Sequence, residues 1–196
     1  MMKMDAVSQE KQEIRQKMLA LRRALSDEES KKMGMALRDR IQAFSPYRRA
    51  KRIMAFLAMK GESNLDFLLE AALKEGKEVY VPVCLPGNMM EAGRLHDMEH
   101  FVKGPLGLRD LPKGYEVIEP EKLDLVLIPG VAATPEGVRL GMGAGYYDRY
   151  LSRVSFERRA AALWDFQVIP SLPEESFDQR VAYIVTEKRV IETKRG

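Results

Sequence analysis

The six residues Leu123-Asp124-Leu125-Val126-Leu127-Ile128, closed by Pro129-Gly130, constrain the fold more than any other stretch of the chain. The run is shorter than an ordinary helix, does not alternate apolar with polar positions after Asp124, and is ended abruptly by the Pro-Gly pair. Such a strand is buried on both faces, which is the habit of parallel sheets covered by helices on either side. Four other segments have strand character: Arg52-Ile53-Met54-Ala55-Phe56-Leu57, Glu78-Val79-Tyr80-Val81-Pro82-Val83, Ala160-Ala161-Ala162-Leu163-Trp164 and Val181-Ala182-Tyr183-Ile184-Val185. Between them the apolar period changes to that of a helix. Residues 9–25 place Ile14, Met18, Leu21 and Leu25 on one face. Ser26-Asp27-Glu28-Glu29 is a capping-box sequence, and Met33, Leu37, Ile41 and Phe44 continue the period as far as Ser45-Pro46. A further helix is expected over residues 65–75 with Gly76 at its C-terminal cap, and Tyr146, Tyr147, Tyr150, Leu151 and Val154 also keep helical spacing. Residues 85–122 are rich in glycine and proline, and only short β segments are expected there.

Strands separated by helices predict an α/β fold in three layers, α/β/α, around a mostly parallel central sheet. With 196 residues the expectation is one domain over residues 1–196, the N-terminal helices at 9–45 packed on it. Ligands bind such sheets beyond the carboxyl ends of their strands, where the loops after Leu57 and Ile128 belong. The glycine-rich stretch Gly141-x-Gly143-x-Gly145 follows the second of these strands. Without β-carbons its N–H groups can approach a ligand closely, and a helix starting near Gly145 adds its positive end, so phosphate oxygens are natural guests. The same glycines would also serve a tight loop that needs them only for turning. Arg139 offers a planar, permanently charged fork to phosphate, and Asp148 can hold a magnesium ion or act simply as a helix-dipole partner. Lys11 and Arg15, four apart, can face one polyphosphate or form a solvated helix face.

Charge narrows the partners. The net charge of +3 is too small to imply a polynucleotide, but it is uneven: residues 1–50 hold twelve basic and seven acidic side chains, against twenty and twenty-two in the remainder. A basic N-terminal segment suits a small polyanion such as a nucleotide. The single cysteine, Cys84, fits a reducing compartment. Charged residues occupy the N-terminus where a signal peptide needs an apolar stretch, and no apolar run approaches about 18 residues, so a cytoplasmic protein without a membrane segment is expected. His96 and His100 lie four apart, but the glycines around them argue against the helix that zinc ligation at that spacing would use. Trp164 and Tyr147 read as core residues, Tyr146 as one that can stack or donate its hydroxyl.

Taken together, Arg139-Leu140-Gly141-Met142-Gly143-Ala144-Gly145-Tyr146-Tyr147-Asp148-Arg149-Tyr150-Leu151 resembles the RLGxGxGYYDRYL signature of the 5-formyltetrahydrofolate cyclo-ligases, also called methenyltetrahydrofolate synthetases. Lys11-x-x-x-Arg15, Phe56-Leu57 through Glu62, Leu123-Asp124-Leu125 with Pro129-Gly130, Gln167, Leu172-Pro173, Asp178 and Ile184-Val185-Thr186-Glu187 extend the resemblance over nearly the whole chain. It implies a three-layer fold related to the ribose-phosphate isomerase and coenzyme A transferase group. It also implies transfer of the γ-phosphoryl group of ATP to the formyl oxygen of 5-formyltetrahydrofolate. Attack by the neighbouring folate nitrogen and loss of phosphate then give 5,10-methenyltetrahydrofolate. A substrate that carries its own nucleophile asks the protein only to position two ligands and stabilise phosphoryl charge, in keeping with the lack of a serine-histidine or cysteine-histidine constellation.

By the same resemblance, Lys11, Arg15, Arg139, Gly141, Gly143, Gly145 and Tyr146 are ATP contacts, and Arg139, Asp148 and Tyr146 act at the reacting centre. Asp148 and Asp178 are magnesium carboxylates, and Leu57 and Glu62 serve the folate, Glu62 accepting paired hydrogen bonds from the pterin. Ser63-Asn64-Leu65 departs from the family, where an acidic residue and a threonine often follow the glutamate. Ala133-Thr134 and Leu108-Arg109-Asp110-Leu111-Pro112 depart as well. These departures keep two alternatives open: an ATP-using paralogue acting on another amide or acid, and a non-catalytic nucleotide, folate or RNA binder using the basic N-terminal helix.

Overall fold

The computed structural model describes residues 6–104 and 107–194. Helices α1 (Ala6–Ala24), α2 (Asp27–Ala43) and α3 (Ser45–Arg49) lead into β1 (Arg52–Ala55), and α4 (Asp66–Lys74) connects it to β2 (Glu78–Leu85), which turns back as β3 (Met89–Leu95). Short strands β4 (Val102–Lys103), β5 (Arg109–Asp110) and β6 (Val117–Ile118) precede β7 (Leu125–Ile128). The ribbon of β8 (Ala132–Ala133) and β9 (Arg139–Leu140) leads to α5 (Tyr146–Leu151), and β10 (Arg159–Ala162), β11 (Tyr183–Val185) and β12 (Val190–Glu192) finish the chain. No described helix is long and apolar enough to cross a membrane.

Eight strands form the central sheet in the order β12-β11-β10-β7-β1-β2-β3-β6. The pairs β11-β10, β10-β7, β7-β1 and β1-β2 are parallel, and antiparallel strands close both edges. Side-chain alternation gives each face its own core. Ile53, Val79, Leu125, Leu127, Ala160 and Val185 face Leu37, Ile41 and Tyr47 together with Leu68 and Leu69. Met54, Tyr80, Val126, Ile128, Ala161 and Ile184 face Tyr150, Leu151 and Val154. The four residues of β7 are all fully buried, as its sequence requires, and helices cover both faces as expected.

The chain winds outward from β1 in one direction through β2, and in the other through β7, β10 and β11. The carboxyl ends of β1 and β7 therefore diverge at a topological switch point, the place where an open α/β sheet leaves a crevice.

Three expectations need correction. Residues 85–122 are more regular than their composition suggests, because β3 pairs with β2 along its full seven residues; the Gly87 turn has positive φ, and the cross-strand ladder overrides weak local propensity. The helix after the glycine loop has only six residues, since the chain must turn after Leu151 to seat Val154 in the core and enter β10. Most instructive is α1. Its buried residues are Lys11, Met18 and Arg22, while Leu21 is 44% exposed. Met18 packs with Val131, Ala132 and Leu140 of the β8-β9 region, so the helix is rotated to turn its cations inward.

Candidate active site

The crevice at the switch point opens into a cavity of about 740 Å³. Phe56, Leu57, Met59 and Glu62 reach it from the loop after β1, Pro129 and Gly130 from the end of β7. Its other walls include Lys11 and Arg15 of α1, the loop from Arg139 through Asp148, and Glu175, Phe177 and Asp178 before β11. Every residue singled out in the sequence for nucleotide, metal or folate thus lines one space. Such a volume is ample for a sizeable ligand.

The glycine loop is built for close approach. Gly143 (φ 101°) and Gly145 (φ 73°) adopt the left-handed region, which a side chain would strain, and Gly145 is the N-cap of α5. A β-carbon at Gly141 would stand 3.0 Å from the Arg139 guanidinium. Arg15 braces the loop from the other side, its Nε donating to the Gly141 carbonyl at 2.9 Å.

Arg139 is only 5% exposed. Its guanidinium donates to the Pro129 carbonyl at 3.2 Å and to Asp148 Oδ1 at 3.0 Å, and it stands 5.8 Å from the Tyr147 ring centroid. Asp148 also accepts the Gln179 N–H at 3.3 Å. Arg139 therefore forms part of the cavity floor, tying the β7 turn to α5. Tyr147, expected in the core, does pack against it, yet it also lines the cavity and its buried hydroxyl has no hydrogen-bond partner. Tyr146, beside it, lines the cavity too.

Lys11, 6% exposed, bonds Glu175 and Asp178 at 2.6 Å each. Burial disfavours its charge, but the two carboxylates outweigh this and raise its pKa, so the ammonium is maintained. Asp178 Oδ2 also accepts the Glu175 N–H at 2.9 Å. Both expected metal carboxylates are thus already engaged with cations. Each nevertheless keeps its second oxygen without a protein donor among the described residues. No cluster of three or more metal-binding side chains occurs among the described residues. One or two carboxylates completed by phosphate oxygens and water is the ordinary donor set of magnesium, and Asp148 with Asp178 fits it.

In the loop after β1, Glu62 is 8% exposed, and its Oε2 accepts the Met59 N–H at 2.9 Å. Burial raises its pKa above the ordinary glutamate range, opposed by the Met59 hydrogen bond and Arg22. The neighbouring departures from the family pattern have structural employment: Ser63 Oγ donates to the Ala162 carbonyl at 2.7 Å, and Asn64 Oδ1 accepts the Asp66 N–H at 2.8 Å at the start of α4. Neither lines the cavity.

The sequence model of the 5-formyltetrahydrofolate cyclo-ligase family matches residues 7–187. The chain belongs to this family. It is 32% identical over 178 residues to the 5-formyltetrahydrofolate cyclo-ligase of Escherichia coli K12, covering 87% of this chain and 97% of that one. It is 35% identical over 156 residues to a probable 5-formyltetrahydrofolate cyclo-ligase of Caenorhabditis elegans, covering 76% of each. The NMR structure of Aquifex aeolicus 5,10-methenyltetrahydrofolate synthetase superposes with a TM-score of 0.83 at 34% identity, over 95% of this chain and 94% of that one. The family relation thus extends beyond the glycine loop to all the walls of the cavity.

Sequence reasoning gave several contributors no role, Gln167 among them although it is part of the resemblance, and missed others. Gln167, 1% exposed, donates to the Gly130 and Val131 carbonyls at 3.0 and 2.8 Å and so pins the turn after β7. Glu175 and the Gln179 N–H hold Lys11 and Asp148, and Arg22 stands behind Glu62. Gln167 was visible through the family resemblance, and Arg22 left a signal in its seven-residue spacing from Arg15, which places both near one helical face.

Proposed function

We propose that this cyclo-ligase family member converts 5-formyltetrahydrofolate to 5,10-methenyltetrahydrofolate with ATP, releasing ADP and phosphate. The observation that carries the reading is convergence. Lys11, Arg15, Glu62, Arg139, Asp148 and Asp178, scattered along the sequence, line one cavity together with the glycine loop. That combination of cations, glycine N–H groups and a buried carboxylate suits a polyphosphate and a ring bearing N–H donors.

A formamide oxygen is a very poor leaving group, and phosphorylation makes it a good one. The protein's share is to align the γ-phosphoryl group with the formyl oxygen and to offset charge as it shifts among phosphate oxygens. In our reading Lys11 and Arg15 face the triphosphate, with the N–H groups of the glycine loop close beside it. Arg139 anchors Asp148 and contributes its positive field. Asp148 and Asp178 would hold a magnesium ion, which when bound neutralises phosphate oxygens. Leu57 packs against the folate, Glu62 accepts the pterin donors and fixes the ring, and Tyr146 presents its hydroxyl or ring to the nucleotide side. The folate nitrogen then meets the activated formyl carbon without a protein nucleophile.

The test is direct: purified protein with 5-formyltetrahydrofolate, ATP and magnesium should develop the absorbance of the methenyl product. No product and no ATP turnover would sink the proposal.

A further inference from the structure

Arg22 lies at the far end of the inward stripe of α1 and is 3% exposed. Its Nε donates to the Gly61 carbonyl at 3.0 Å, and its Nη2 stands 3.7 Å from Glu62 Oε1. The Trp164 indole donates to the same carbonyl at 3.2 Å, so two buried groups from different elements fix the peptide immediately before Glu62. The turn is closed by the Glu62 N–H on the Met59 carbonyl at 2.9 Å and by the Met59 N–H on Glu62 Oε2. Among the described residues Glu62 Oε1 is left with no donor at hydrogen-bonding distance; its counter-charge is Arg22, whose buried Nη1 has no hydrogen-bond partner among them. Glu62 lines the cavity, whereas Arg22 does not.

We propose that Arg22 is a positioning residue, holding Glu62 from behind as an aimed carboxylate whose Oε1 stays open to adjacent amino and N–H donors of a bound ring. The role rests on the folate reading of Glu62 given above. It makes α1 a strap between the two parts of the site, with Lys11 and Arg15 at the nucleotide and Arg22 under the folate loop.

Electrostatics supports the geometry. Burial raises Glu62 and lowers Arg22, each partly restored by the other, so the attraction at 3.7 Å does not fully offset desolvation. Among the described residues the groups bearing on Glu62 are Arg22 from α1, the Met59 N–H of its own loop and the Tyr147 hydroxyl from α5. Arg22 is the cation of this set, so loss of its charge pushes Glu62 toward protonation.

Arg22→Gln keeps a donor for the Gly61 carbonyl and removes the charge; Arg22→Lys keeps the charge. The Glu62 carboxyl is followed by carbon-13 NMR in the ligand-free protein, assigned by its disappearance in Glu62→Gln. Its protonation midpoint should rise by about one unit in Arg22→Gln, a tenfold change in the equilibrium, and stay near wild type in Arg22→Lys. In parallel the KM for 5-formyltetrahydrofolate should rise about tenfold in Arg22→Gln, with the KM for ATP within about twofold. An unmoved midpoint in folded Arg22→Gln, or an equal rise in both KM values, overturns the proposal. Should Arg22→Gln fail to fold, Arg22→Met combined with Glu62→Gln removes both buried charges: a folate KM equal to that of Glu62→Gln alone supports the proposal, and a further tenfold loss overturns it. A wild-type protein that does not turn over 5-formyltetrahydrofolate refutes the function reading, and the titration still decides the role of Arg22.

Discussion

The cavity walls assigned above to nucleotide (Lys11, Arg139, Asp148, Asp178) and to folate (Glu62, with Arg22 behind it) solve the burial of charge in different ways. At the first, two of the cations have close acids: Lys11 meets Glu175 and Asp178 at 2.6 Å, and Arg139 meets Asp148 at 3.0 Å. In these short pairs the acids come from the later third of the chain. At the second, Arg22 and Glu62 stand 3.7 Å apart, and burial drives both toward neutrality. In the proposed reading a preformed cradle of close ion pairs suits triphosphate, which arrives carrying its own charge. A carboxylate with an open oxygen suits a neutral ring, whose N–H donors complete what the protein leaves unfinished. The two walls should therefore fail differently when altered.

The largest effect is expected at Asp148. Asp148→Asn removes the acid on Arg139 and one of the two carboxylates proposed for magnesium, and kcat should fall on the order of a hundredfold or more while folate binding persists. Full activity would show that the nucleotide wall does not stabilise phosphoryl transfer. Glu62→Gln comes next. One acceptor oxygen is replaced by a donor, so the folate KM should rise about tenfold or more with little change for ATP, and equal weakening of both would break the division between the walls.

The pH dependence sharpens the same contrast. Because the pKa of Glu62 is raised by burial, kcat/KM for folate should fall as pH drops through a value above the ordinary glutamate range. That acid limb should vanish in Glu62→Gln. For stability the sign is opposite: the raised pKa means folding favours the protonated form, so this group's contribution grows as pH falls toward its unfolded value. Lys11, whose pKa is also raised, follows the same sign in a higher pH range, its contribution present below its unfolded pKa and lost as pH rises through the raised one.

A smaller effect is expected from Asp178→Asn. If its main task is to hold Lys11, the KM for ATP rises several-fold at saturating magnesium; a large increase in the magnesium needed for half-activity instead would make it chiefly a metal ligand. Least affected is Ser63→Ala. Loss of its bond to the Ala162 carbonyl should lower unfolding stability by about 1 kcal/mol, read by denaturant titration, with the folate KM unchanged. A raised folate KM would restore a direct substrate role to the segment after Glu62.

Much of the fold was legible because the signals were local. Ser26 and Glu29 cap α2 reciprocally as their spacing predicts, and the bare apolar run of β7 lies at the centre of the parallel strands. The β3 strand was less legible, because its stability comes from pairing with β2 and not from its own residues. The site divided in the same way. Glycine spacing marks a loop that can approach phosphate, but Gln167 under the Pro129-Gly130 turn leaves no periodic trace, since its bonds run to carbonyls more than thirty residues distant.

By itself, then, the sequence determined the alternation of strands and helices, the turns after β1 and β7, and the glycine loop, all set by hydrophobic period and backbone freedom within a few residues. Its long resemblance to the cyclo-ligases named the residues that meet in the cavity. Only the tertiary structure decided which residues of α1 are buried. Ile14, Met18 and Leu25 of the apolar face do pack inward, but Leu21 at its edge is exposed while Lys11 and Arg22 are buried beside that face, because their charges find Asp178, Glu175 and Glu62 on distant elements. A buried cation is tolerable only beside its counter-charge, and that partner is supplied by the fold and not by the helix's own sequence.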